Sequence, residues 1–140
     1  MNVEQNVWIS IQNNWVKARL IDNNIIYNDQ ELKNITTYKC NTDEIDNQNN
    51  LIDIPHLNEP TVLNSVYLRY IQNNIYTYTG NILISINPFQ SLQLYTDKII
   101  ESYKNNQNMD PHIYQIARKS YNNLKNTHQN QTILISGESG

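Results

Sequence analysis

Gly137-Glu138-Ser139-Gly140 follow a short apolar run, Thr132-Ile133-Leu134-Ile135-Ser136. A strand that opens directly into a glycine-bracketed turn is the setting of a phosphate-binding loop, in which backbone N–H groups close around phosphate oxygens. In the full pattern, G-x-x-x-x-G-K-[S/T], a lysine reaches the β and γ phosphates and a hydroxyl ligates Mg²⁺. The first glycine and its next three residues are present, but the lysine and hydroxyl positions are not among the 140 residues. Taken by themselves, these four residues fit either a phosphate site or an ordinary turn at the end of a strand.

Other reactive residue types are spread thinly. His56, His112 and His128 are too scattered for a metal site and are expected on the surface or in loops. Asp43, Glu44 and Asp46 lack the glycine and terminal glutamate of a calcium loop and are expected to be solvated. Ten tyrosines raise the question of base stacking, but with ten Lys and Arg against thirteen Asp and Glu there is no accompanying positive charge. Core packing explains them better, and neither nucleic acid nor an anionic membrane is expected as a partner.

Composition sets further bounds. A chain of 140 residues fits one domain in size and can bury a substantial core. The single cysteine, Cys40, excludes an internal disulfide framework and suits a reducing compartment. No apolar run approaches the roughly 20 residues of a membrane helix. The first residues, Met1-Asn2-Val3-Glu4-Gln5-Asn6, have neither the basic nor the apolar region of a signal peptide. Asparagine doublets at 13–14, 23–24, 49–50, 73–74 and 105–106 read as polar filler between periodic segments.

The elements that must position any site fall into two groups. Over residues 1–40, β-branched and aromatic runs separated by Asn and Asp predict a small antiparallel β module. Residues 41–50 have no apolar period and read as a polar linker. From residue 51 the pattern changes. Pro60 opens a helix with Leu63, Val66, Tyr67 and Tyr70 on one face. Gly80-Asn81 joins Ile75–Thr79 and Ile82–Ile86 as a tight hairpin, which Asn87-Pro88 closes because proline cannot donate to a ladder. Ile99, Ile100 and Tyr103 suggest a short helix after Thr96. A longer one begins at Asp110-Pro111, with Ile113, Ile116, Ala117, Tyr121 and Leu124 on one side. Thr132–Ser136 reads as a strand covered on both faces of a largely parallel sheet. With only one hairpin to pair with it, the part beyond Asn50 is expected to be loose or aggregation-prone, while the β module folds.

Several of these segments recur together. Asn58–Leu63, Ile75–Phe89, Leu94-Tyr95, Pro111–Tyr114 and Gln129–Gly140 resemble, in order and spacing, the start of the myosin motor head, from about Leu51 onward. The segment with Trp8 and Trp15 resembles the small SH3-like β barrel that precedes the motor core in many myosins. The resemblance implies an α/β P-loop NTPase fragment, the start of a mixed-sheet motor core, preceded by that barrel. It implies that Asn87, Pro88 and Tyr95 line an adenine pocket and that Gly137, Glu138, Ser139 and Gly140 begin the phosphate loop. ATP and Mg²⁺ are the cofactors implied, actin filaments the partner, and the cytoplasmic cytoskeleton the location.

The carry-over has limits. Ser91 stands where the family usually has a basic residue, and Gln93 where it usually has proline. No catalytic residue and no actin-binding surface are assigned to these residues, so the chain by itself is expected to have neither ATPase nor motor activity. The stretch Tyr76–Ile84 looks closest to the cargo-transporting classes five and eleven. Two alternatives remain: an SH3-like binding module with a degenerate motor remnant, and a fragment of another P-loop NTPase.

Overall fold

The computed structural model describes residues 4–107 and 110–137. Five strands come first: β1 (Glu4–Ile11), β2 (Asn14–Ile21), β3 (Asn24–Tyr27), β4 (Gln30–Leu32) and β5 (Tyr38–Lys39). They form one antiparallel sheet in the order β4-β3-β2-β1-β5, consistent with an SH3-like β domain. Three two-residue turns link the first four strands, and Gln12-Asn13, Asp22-Asn23 and Asn28-Asp29 all have positive φ. Positive φ at both central positions is the type I′ turn, whose twist matches that of the flanking strands. After glycine, Asn and Asp tolerate this region best. Asn73 and Asn106 are also left-handed. At these five positions asparagine serves turn chemistry.

Strand register divides the sheet into two faces. Val7 pairs with Ala18 and Ile9 with Val16, and with Ile25 they form the core of the β module. Trp8 pairs with Lys17 and Ser10 with Trp15 on the opposite face. That face is not open. The Lys17 ammonium stands 5.0 Å from the Trp8 ring centroid and 2.6 Å from Asp43 Oδ1, while Trp15 Nε1 donates to Glu59 Oε1 at 3.4 Å.

Those acidic residues belong to the next elements, α1 (Asp43–Asp46), a 3-10 turn (Leu51–Asp53) and α2 (Glu59–Tyr70). The hairpin β6 (Tyr76–Thr79) and β7 (Ile82–Ser85) follows, then α3 (Asp97–Lys104) and α4 (Ile113–Thr127). Side-chain oxygens of Thr42, Asn58 and Thr96 cap α1, α2 and α3 by accepting the N–H three residues on. Gly80, at φ +63, occupies the first position of the two-residue hairpin turn, where a Cβ would be strained.

Three expectations need correcting. Within residues 41–50, Glu44 is exposed, but Asp46 is fully buried and not a solvated linker carboxylate. Asn41 and Asn64 donate to its two oxygens at 2.9 and 2.8 Å, and Ser65 Oγ donates to its carbonyl at 2.6 Å. Burial there is tolerated because each carboxylate oxygen has a donor.

The apolar residues that helical spacing places on one face, as a core-facing stripe would be, are not the buried ones: Leu63, Tyr67, Ile113, Tyr121 and Leu124 are exposed. α2 instead packs through Pro60, Thr61, Ser65 and Arg69, whose small or hydrogen-bonding side chains meet α1 and the hairpin. The strand expected at Thr132–Ser136 does not form: these residues are irregular, with Leu134 and Ile135 almost fully exposed. A strand needs a partner ladder; β6 pairs with β7 and, on its other edge, makes a single parallel bridge from Tyr78 to Asn50, and neither strand forms a ladder with residues 132–136.

Candidate functional site

The ladder of the hairpin ends where Ile86 N–H donates to Ile75 O at 3.0 Å. Pro88 has no N–H to extend it, so the chain leaves as a loop that carries Asn87, Pro88 and Tyr95. Asn87 is exposed, and its Oδ1 accepts from Phe89 N at 2.9 Å, a local turn in which the side chain replaces a backbone acceptor. This turn holds Phe89 at φ +49 with its ring 88% exposed, an unusual conformation for a bulky residue.

Side chains from α2 and the following turn tie the first half of the loop down. Tyr70 OH donates to Pro88 O at 3.4 Å, and Gln90 Nε2 donates to Asn73 Oδ1 at 2.9 Å. The second half rests on buried groups. His112 Nε2 lies 3.1 Å from Leu94 O, and the hydroxyls of Tyr76 and Tyr95 are 2.7 Å apart. Tyr76 and His112 are buried, whereas Tyr95 is half exposed.

His112, expected on the surface or in a loop, does lie in irregular chain just before α4, but it is buried at the centre of an aromatic cluster. Tyr103 stacks on it at 5.0 Å, and Tyr76, Tyr95 and Tyr114 approach at 5.1, 5.7 and 4.5 Å between centroids. It is also the N-cap of α4, because its Nδ1 accepts from Tyr114 N at 3.1 Å. An accepting Nδ1 leaves Nε2–H to donate to Leu94 O, which assigns the neutral tautomer. Burial lowers the His112 pKa and favours that neutral form, against the smaller opposing effect of the Leu94 bond. Burial also pushes the Tyr103 phenol up to about 12, and burial and the Tyr95 hydrogen bond raise Tyr76 well above its ordinary value. These phenols stay neutral and act as hydrogen-bonding walls.

A cavity of about 270 Å³ lies beside this cluster, between Arg69, Ile75, Tyr76, Leu94, Tyr103 and His112. Arg69 is buried, and its guanidinium donates to Thr77 Oγ1 at 2.9 Å, Asn49 Oδ1 at 2.7 Å and Tyr76 O at 2.8 Å. Burial lowers its pKa and the nearby Asp110 carboxylate partly offsets this. The guanidinium therefore fixes the β6 backbone next to Tyr76. Among the described residues, no group of three His, Cys, Asp or Glu is placed to hold a metal ion. The arrangement can orient a planar group; it holds no nucleophile beside a base.

The structure thus gathers Asn87, Pro88 and Tyr95 on one tethered loop. Gly137 lies in exposed irregular chain, while Glu138, Ser139 and Gly140 lie outside the described residues. Sequence reasoning missed Tyr76, Arg69 and His112. The signal for His112 was its place immediately before the periodic residues of α4; it was passed over because Asp110 is the more usual capping type.

The comparisons with known proteins agree on one family. Residues 48–140 match the family described as Myosin head (motor domain). Myosin-52 of Schizosaccharomyces pombe is 52% identical over 93 residues, covering 64% of this chain and 6% of that protein. Myosin-2 of Saccharomyces cerevisiae is 36% identical over 150 aligned residues, covering 90% of this chain and 10% of its own length. Unconventional myosin-Vb of Mus musculus is 36% identical over 129 residues, covering 89% of this chain and 7% of its own. The chain spans a tenth or less of these relatives.

Proposed function

Since the chain belongs to the myosin head (motor domain) family, we propose that it supplies the adenine pocket and the start of the phosphate loop of an ATP-driven, actin-based motor. The observation that carries the reading is the tethered loop. Asn87, whose Oδ1 already accepts from Phe89 N, offers its Nδ2 amide donors beside a proline ring, and Tyr95 offers a half-exposed ring on a rigid backing. An amide at a purine edge and flat faces along the base plane are what an adenine site requires. Gly137, Glu138, Ser139 and Gly140 are proposed to begin the phosphate loop. ATP with Mg²⁺ is proposed for the intact motor, where the hydroxyl that follows this turn in the loop pattern would hold the metal.

Photolabelling with 8-azido-ATP tests the base site. The label is expected in the peptide that contains Asn87–Tyr95; a label confined to other peptides would refute the assignment. The 140 residues alone are proposed to hydrolyse no ATP, since electrostatic stabilisation of phosphoryl transfer needs the lysine and the metal. Actin-stimulated phosphate release from that polypeptide would contradict this.

The division into residues 1–40 as an SH3-like module, 41–50 as connector and 51–140 as the start of the motor core is part of the same proposal. It is supported by the end of β5 at Lys39 and by the family match from residue 48. Classes five and eleven are proposed as the nearest relatives within the family, with actin filaments as partner and the cytoplasmic cytoskeleton as location. A free-standing binding module is disfavoured, because the Trp15 and Lys17 face of the sheet is already engaged by Glu59 and Asp43.

A further inference from the structure

We propose that Tyr76 is a positioning residue for Tyr95, fixing its ring for the base of a bound nucleotide through the bond between their hydroxyls. This rests on the nucleotide reading of the Asn87–Tyr95 loop and adds a residue that the reading does not contain. Tyr76 lies on β6 and is 6% exposed, with its backbone carbonyl held by Arg69 Nη2 at 2.8 Å. It is therefore one of the least movable groups near the loop. Its hydroxyl is 2.7 Å from that of Tyr95, which is 50% exposed and lies on a segment without regular secondary structure.

The geometry is asymmetric. His112 holds the Leu94 carbonyl at 3.1 Å, which fixes the backbone one residue before Tyr95. That contact alone leaves the Tyr95 side chain free to change rotamer. Ring contacts with His112 at 5.7 Å and Tyr114 at 6.3 Å set one side of the Tyr95 ring. The Tyr76 bond then sets the direction of the ring axis. Because the Tyr95 hydroxyl is committed inside the protein, Tyr95 contributes a ring surface rather than a hydroxyl to recognition. Loss of either hydroxyl removes this bond; the Tyr76 hydroxyl also meets the Ser85 side chain, so its loss should cost at least as much.

A double-mutant cycle on the full chain tests this, with Tyr76→Phe, Tyr95→Phe and the double variant titrated with ATP and with tripolyphosphate. Adenine signals in saturation-transfer NMR and competition give the affinities, and circular dichroism checks the fold. Each single variant is expected to bind ATP roughly three- to tenfold more weakly, as for one lost hydrogen bond. The double variant is expected to be no weaker than Tyr76→Phe alone, and tripolyphosphate binding should not change. Unchanged ATP affinity in Tyr76→Phe, or losses that add in the double variant, would overturn the proposal while leaving the nucleotide reading intact. Equal losses for ATP and tripolyphosphate would show a general structural role and also overturn it. If the unaltered chain binds ATP no better than tripolyphosphate, the nucleotide reading fails and the proposal fails with it.

Discussion

At His112 both ring nitrogens are engaged, one accepting from the first turn of α4 and the other facing the Leu94 carbonyl. A second proton would turn the accepting Nδ1 into a donor aimed at the Tyr114 N–H. The charged groups along the cavity wall beside this ring are Arg69 and Asp110, and the aromatic rings packed on it are neutral phenols. The folded pKa lies below the ordinary 6.5, mainly through burial. Above 6.5 neither the folded nor the unfolded state carries the proton, so the full stability is present. As pH falls below 6.5 the unfolded chain takes up the proton first, and stability is lost until the folded pKa is passed. Urea midpoints are expected to be level from pH 8 to 7 and to drop between pH 6.5 and 5. In His112→Asn, whose amide can still cap α4, the part of that drop due to His112 should disappear.

Among the elements, the hairpins owe their register to turns that only a few residue types can make. Asn13→Val places a β-branched residue at φ 63 and is expected to lower stability by about 1–2 kcal/mol, whereas Asn13→Gly should be close to neutral. Thermal melts of the two variants check the contrast. The same turns explain why the meander and the β6–β7 hairpin were legible: alternating apolar residues and a two-residue polar turn are both local signals. Pro60 in the first turn of α2 and Thr96 before α3 were equally local, and Thr96 caps its helix. Helix orientation was not local. Spacing gave Leu63 and Tyr67 a common face, but which face is buried depends on what lies opposite, and Ser65 and Arg69 find Asp46 and Thr77 there. Asp46 shows the same limit, since the donors that permit its burial come from Asn41 and from Asn64 on α2. The candidate loop was legible at Asn87, Pro88 and Tyr95 only through resemblance. Its tethers were not, because Asn73, Tyr76 and His112 are distant in sequence.

Across the whole molecule, polar contacts join the two parts while apolar helix faces point outward. Leu63, Tyr67 and Ile71 on and just after α2, and Tyr121 and Leu124 on α4, add to the exposed Ile133, Leu134 and Ile135. Apolar exposure on this scale favours association. The 140-residue polypeptide is expected to bind the dye ANS and to self-associate in sedimentation velocity. Leu134→Lys with Tyr121→Lys should reduce both while changing stability by less than about 0.5 kcal/mol each, because neither side chain is buried. The seam between the parts has a spectroscopic consequence. Both tryptophans of the chain, Trp8 and Trp15, lie on the sheet face that meets Asp43 and Glu59. Four of the ten tyrosines surround His112. Light absorbed by indole therefore reports the seating of the sheet on α1 and α2, and phenol absorbance weights the cluster behind the candidate loop. Each half of the molecule carries its own optical label.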